Sequence, residues 1–110
     1  MRCKGLRLLY VRNGEEPEVI DVPHRLDALQ ALVGGRIEVV EPFVDEAILV
    51  CNEEGRNWGL PVNRVINERM DICGNFFICG HNEDGLCSIP ESLIPKYTSI
   101  FQFGSTMPVN

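Results

Sequence analysis

The sequence predicts an α+β domain. It would hold a small, mainly antiparallel sheet of about five to seven strands, one central helix near residues 24–33 and a short C-terminal helical region. Three observations carry this. Short β-prone runs recur between turn dipeptides. A leucine stripe at helical spacing ends on Gly34-Gly35. A second apolar stripe follows the Ser-Ile-Pro-Glu stretch at 88–91.

Leu6 to Val11 reads as the first strand, Asn13-Gly14 as a turn, and Glu18 to Val22 as the returning strand of a hairpin. Pro23 stops that strand and suits the first turn of a helix, because its φ is already fixed near the helical value. Leu26, Leu29, Leu32 and Val33 then share one helical face, with Asp27 and Gln30 on the other. Gly34-Gly35 ends the helix, since glycine enters the left-handed cap conformation without steric cost. A helix of about ten residues is unstable alone, so its leucine face must pack on the sheet.

Arg36 to Pro42 alternates enough to read as a strand, and Ala47 to Cys51 is a continuous apolar run suited to a central strand covered on both faces. These two form a second hairpin. Val62 to Asn67 reads as a helical turn or a short irregular piece, and Ile72 to Cys79 as one unbroken strand. Asn82 to Gly85 is a turn, and Leu86 to Ile89 a short return. Ser88 and Glu91 have capping-box spacing around Pro90. Leu93, Ile94, Tyr97, Ile100 and Phe101 give a helical stripe that Pro95 divides into a short turn and a second helical piece. Residues 1–103 read as one domain and 104–110 as a tail.

The net charge of −6 argues against non-specific nucleic-acid binding, which needs clustered Lys and Arg to displace counterions. It leaves room for a small anionic ligand, because a local pair of arginines can outweigh distant carboxylates. No apolar run approaches the roughly 20 residues that span a membrane. Five cysteines, an odd number with no CxxC, read as reduced thiols of a cytoplasmic protein, and Arg2, Lys4 and Arg7 interrupt any N-terminal signal.

The stretch from Ile48 to Arg64 stands out. After an apolar strand and the turn Asn52-Glu53-Glu54-Gly55 it gathers Arg56, Trp58, Asn63 and Arg64. Together with Asn52 these are the candidate ligand-binding residues. Trp58 could stack on a planar ring, Arg56 or Arg64 could fork onto a phosphate, and Asn52 or Asn63 could read polar edges. The structural alternative makes Asn52 and Gly55 turn residues, Trp58 a core cap, and Arg64 the partner of Glu53 or Glu38. Asn63 and Arg64 are the more informative pair, because neither turn chemistry nor apolar periodicity asks for them.

Other constellations are weaker. Cys73, Cys79, His81 and Cys87 are spaced too loosely for a zinc site, which brings ligands in close pairs. Cys51 or Cys79 could be matched with His24 or His81, but Cys51 ends an apolar run and precedes Glu53-Glu54, which disfavours a thiolate. Glu38, Glu41, Glu53 and Glu54 read as solvated carboxylates. No catalytic motif, metal set or cofactor is expected.

The run LQALVGGRIEVV at 29–40, with NEEG at 52–55, GLP at 59–61, Asn63-Arg64 and an apolar strand ending at Gly80, resembles a family of short proteins of unknown function encoded by bacteriophages, plasmids and conjugative elements. The resemblance covers roughly 6–97, and the chain departs from it at Pro95. It implies a mobile-element origin and no established activity. Small accessory phage proteins often counter host defence. The expectation is therefore a non-enzymatic protein that sequesters a small anionic, nucleotide-like signal in the host cytoplasm. The alternative is a protein–protein module that inhibits or adapts a host protein. Adjacent Phe76 and Phe77 must face opposite sides of a strand. If both helices lie on one sheet face, the other exposes a ring, and a homodimer or higher even-numbered oligomer would bury it.

Overall fold

The computed structural model describes residues 5–67 and 70–103. Cys3 and the expected tail at 104–110 lie outside them. The elements run β1 Gly5–Val11, β2 Glu18–Pro23, α1 Leu26–Val33, β3 Ile37–Val40, β4 Ala47–Asn52, β5 Val62–Ile66, β6 Met70–Cys73, β7 Phe76–Asn82, β8 Gly85–Cys87, a 3-10 turn at Glu91–Leu93 and α2 Ile94–Ile100. The fold is α+β, as its sequence pattern requires. A six-stranded sheet has the order β2-β1-β7-β4-β3 with β8 added on β7, and β5-β6 form a separate two-stranded sheet. All pairings are antiparallel.

Strand periodicity sorts the core into two layers. On one face lie Leu6, Leu8 and Tyr10 of β1, Ile48 and Val50 of β4, and Phe77 and Cys79 of β7, under Leu29 and Val33 of α1. On the other face Leu9, Leu49, Phe76 and Ile78 meet Tyr97, Ile100 and Phe101 at α2, with Ile66 and Ile72 of the small sheet. β4 is buried along its whole length, as a central strand covered on both faces must be.

This arrangement corrects the expectation of an open aromatic face. α1 and α2 lie on opposite sides of the sheet, so Phe76 and Phe77 are both fully buried. The motive given for a two-fold dimer is therefore absent.

Three local readings also change. Val62 to Ile66 is a strand, in keeping with its β-branched residues, and it turns through Asn67 at φ 53. The run Ile72 to Cys79 is two strands of different sheets, broken at Gly74, whose φ of 84 a side chain would resist. Ser88 does not cap the following turn; its hydroxyl accepts the Arg7 amide at 2.9 Å.

The helix readings hold in outline. Gly34 closes α1 at φ 83 and donates its amide to the Gln30 carbonyl. Pro95 sits in the first turn of α2, where its missing N–H costs nothing. Leu26, expected on the buried stripe, is 60% exposed because α1 begins there and its first turn overhangs the sheet.

Candidate functional site

The loop after β4 is built from its glycines and one buried amide. Asn52 is almost fully buried. Its Nδ2 donates to the Val33 carbonyl at the end of α1 (3.1 Å), and its Oδ1 accepts the Glu54 amide (2.7 Å). One side chain thus ties helix end to loop start and satisfies both. Successive turn bonds carry the chain onward, from the Gly55 amide to Asn52, Trp58 to Glu54, Gly59 to Arg56 and Leu60 to Gly55.

Two glycines let the loop seat. A Cβ on Gly55 would stand 2.8 Å from the Cys73 carbonyl oxygen, which is backbone and cannot yield. A Cβ on Gly35 would stand 2.9 Å from Asn52 Nδ2 and 3.0 Å from the Trp58 ring. The indole is therefore braced along one edge against the α1–β3 turn while 55% of the residue stays exposed.

The five candidate residues separate into two groups. Asn63 donates to the carbonyls of Val11 (2.9 Å) and Gly74 (3.0 Å) and accepts from Arg64 (2.6 Å). Arg64 is buried. It donates to the Phe101 carbonyl through Nε (3.2 Å) and Nη2 (2.9 Å), to Glu15 O (2.8 Å) and to Asn63 O (3.1 Å). Burial lowers its pKa, and Glu16 opposes that shift. Arg64 pairs with neither Glu53 nor Glu38; Glu53 is held by Arg36 at 3.2 Å. Asn52 and Asn63 thus donate to backbone, and Arg64 to backbone and the Asn63 side chain, while Arg56 and Trp58 project outward.

Arg56 differs from every other described lysine or arginine. Arg7, Arg12, Arg25, Arg36 and Lys96 are in ion pairs, and Arg64 binds carbonyls. Among the described residues the Arg56 guanidinium has no ion pair or hydrogen bond.

Two clefts flank the loop. One, of about 420 Å³, is lined by Glu38, Cys51, Glu53, Arg56 and Asp71 among others. The second, of about 320 Å³, lies between the end of α1 and Trp58-Leu60-Pro61, with Asn13 and Asn75 at its floor. A polar network missed by sequence reasoning fixes that floor. The Asn13 amide donates to Asn75 Oδ1 (2.8 Å), Asn13 Nδ2 to Pro61 O (3.1 Å) and Asn75 Nδ2 to Tyr10 Oη (3.3 Å). Asn13 gave a signal only as a turn residue. A second missed feature joins Tyr97, fully buried, to Asp45 (2.7 Å), which pushes the phenol pKa up chiefly through burial.

Cys51 and Cys79 are poor nucleophiles. Burial pushes Cys51 up to about 11, helped by Glu38 and Cys73, and pushes Cys79 up to about 12, helped by Cys87. Cys51, Cys73, Cys79 and Cys87 are free thiols. Among the described residues no three His, Cys, Asp or Glu side chains are grouped to hold a metal ion, and no helix is long and apolar enough to cross a membrane.

No curated protein and no solved structure matches the chain. One family does, and it spans residues 6–102, nearly the whole described fold from β1 through α2. The chain therefore belongs to the family described as a domain of unknown function (DUF3846).

Proposed function

We propose that this protein is a non-enzymatic binding module of a mobile element, and that its ligand is a small nucleotide-derived signal whose sequestration blunts a host defence. The observation that carries the reading is the pairing of a free guanidinium with a braced, half-exposed indole two residues away, on a loop stiffened by its own turn bonds. A ring lying on Trp58 would fill the smaller cleft, where Asn13 Oδ1 is the side-chain oxygen left without a partner among the described residues, the Asn75 oxygen accepting the Asn13 amide. Arg56 lines the larger cleft, on the other side of the loop, and is the donor available to an anionic group of a ligand that extends across the loop. The raised thiol pKa values are consistent with binding rather than nucleophilic chemistry.

Calorimetry against cyclic dinucleotides and ADP-ribose derivatives tests it. At least one member should bind at micromolar concentration and lose about tenfold or more on Trp58→Ala or Arg56→Ala. Silence across the panel well above micromolar overturns the reading.

The second reading is a module that inhibits or adapts a host protein. The exposed Val62, Val65 and Met70 of the β5-β6 hairpin favour it. A stoichiometric protein partner recovered from host lysate supports this class, and a small molecule released on heating supports the first.

A further inference from the structure

We propose that the larger cleft is a strand-addition site for an extended, arginine- or lysine-bearing segment of a partner protein. The site is distinct from the ring-binding groove at Trp58. It begins with an unused backbone edge. β6 pairs only with β5, and no other described backbone group bonds to its far edge over Met70–Ile72, while at Cys73 the carbonyl is covered by Gly55. An unpaired edge is a row of donors and acceptors at strand spacing, and a strand from another chain is one occupant that satisfies it.

The cleft in front of that edge has the shape and lining for such an occupant. Its floor is the face of the β3-β4 hairpin that carries Glu38 and Val40 opposite Cys51 and Leu49, and β6 forms its wall. β3 is itself the last described strand of the large sheet on that side. Val40 and Met70 supply apolar surface there, above the buried Cys51 and Ile72.

Charge selects the sign of the occupant. Three carboxylates, Glu38, Glu53 and Asp71, line the cleft against one guanidinium, Arg56. Arg36 already holds Glu53, which leaves Glu38 and Asp71 as the carboxylates without an ion pair among the described residues. They line the cleft from different strands, Glu38 from β3 and Asp71 from β6. The chain's net charge of −6 draws a basic partner and repels an acidic one at a distance.

The test uses amide-resolved NMR of the intact chain, with a capped hexapeptide alternating arginine and valine and a matched peptide with glutamate for arginine. The basic peptide should shift the amides of Met70–Cys73 and protect them from exchange, and the acidic one should not. The double substitution Glu38→Lys with Asp71→Lys replaces exposed or half-exposed carboxylates, so an unchanged melting curve checks the fold. It should weaken the basic peptide about tenfold and admit the acidic one. No shift with the basic peptide at millimolar concentration, equal response to both peptides, or shifts centred away from β6 would each overturn the proposal. Arg56→Ala and Trp58→Ala leave this response standing or improve it, which separates it from the small-ligand reading.

Discussion

Asn63-Arg64 and Arg56-Trp58 lie within nine residues and look alike in sequence, yet the fold treats them oppositely. Arg64 is buried and divides its donors among three backbone carbonyls and one side-chain oxygen. Arg56 is exposed and bonds nothing described. The first is a clasp that joins the β1-β2 turn, β5 and the end of α2. The second is available to something outside the chain. The difference teaches that an arginine unexplained by local rules is not thereby a site, because distant backbone can also require it.

The sharpest way to break this comparison is Arg64→Ala. It removes a buried cation and leaves the carbonyls of Phe101 and Glu15 without their donor, so the urea midpoint should drop by the equivalent of about 3–5 kcal/mol. An effect within about 0.5 kcal/mol would mean that Arg64 is as dispensable to the fold as an exposed side chain. Next in size, Leu29→Ala should cost about 2–5 kcal/mol, because Leu29 is buried between α1 and the sheet, whereas Leu26→Ala at the overhanging turn should cost well under 1 kcal/mol. Equal losses would place the α1 face wrongly.

A third measurement turns on proton linkage. The folded-state pKa of Cys51 is about 11 and that of Cys79 about 12, both above the ordinary thiol value of 9.0. The folded state therefore holds these protons more tightly than the unfolded chain. Their contribution to stability is complete below the ordinary thiol pKa and is lost as pH rises through 9 toward 11 and 12. The urea midpoint should be flat from pH 7 to 8.5 and fall above pH 9. Replacing both thiols by alanine should flatten that fall, and an unchanged slope would assign it to other groups.

How far the fold was legible follows from where each residue's partners lie. β1 and β4 declare themselves as short β-prone or continuous apolar runs, and α1 through its period-3.6 pattern and Gly34, all of which are local. The β5-β6 hairpin does not, because its turn runs through Asn67 rather than glycine and its exit through Gly74 sits inside an apolar run. The Asn63-Arg64 pair stood out as unexplained, but its partners Phe101, Glu15 and Val11 are 37, 49 and 52 positions away. Pattern reasoning has no access to that distance. Coverage of Phe76 and Phe77 failed for the same reason, since only the tertiary crossing puts α1 and α2 on opposite faces.

The smallest expected effect on the fold sharpens the comparison most. Trp58→Ala and Arg56→Ala should each leave the urea midpoint within about 0.5 kcal/mol, because Arg56 has no partner to lose among the described residues and most of the Trp58 surface already faces water. Gly35→Ala is the informative companion. The added methyl would meet the Trp58 ring at 3.0 Å and Asn52 Nδ2 at 2.9 Å, so the indole must swing away or the amide must leave Val33. If the loop serves to hold Trp58 in place, Gly35→Ala should shift the tryptophan emission maximum and weaken ligand binding nearly as much as Trp58→Ala. If Trp58 only shields the turn beneath it, Trp58→Ala should itself lower the midpoint by more than about 1 kcal/mol, and the exposed pair would join Arg64 as part of the scaffold.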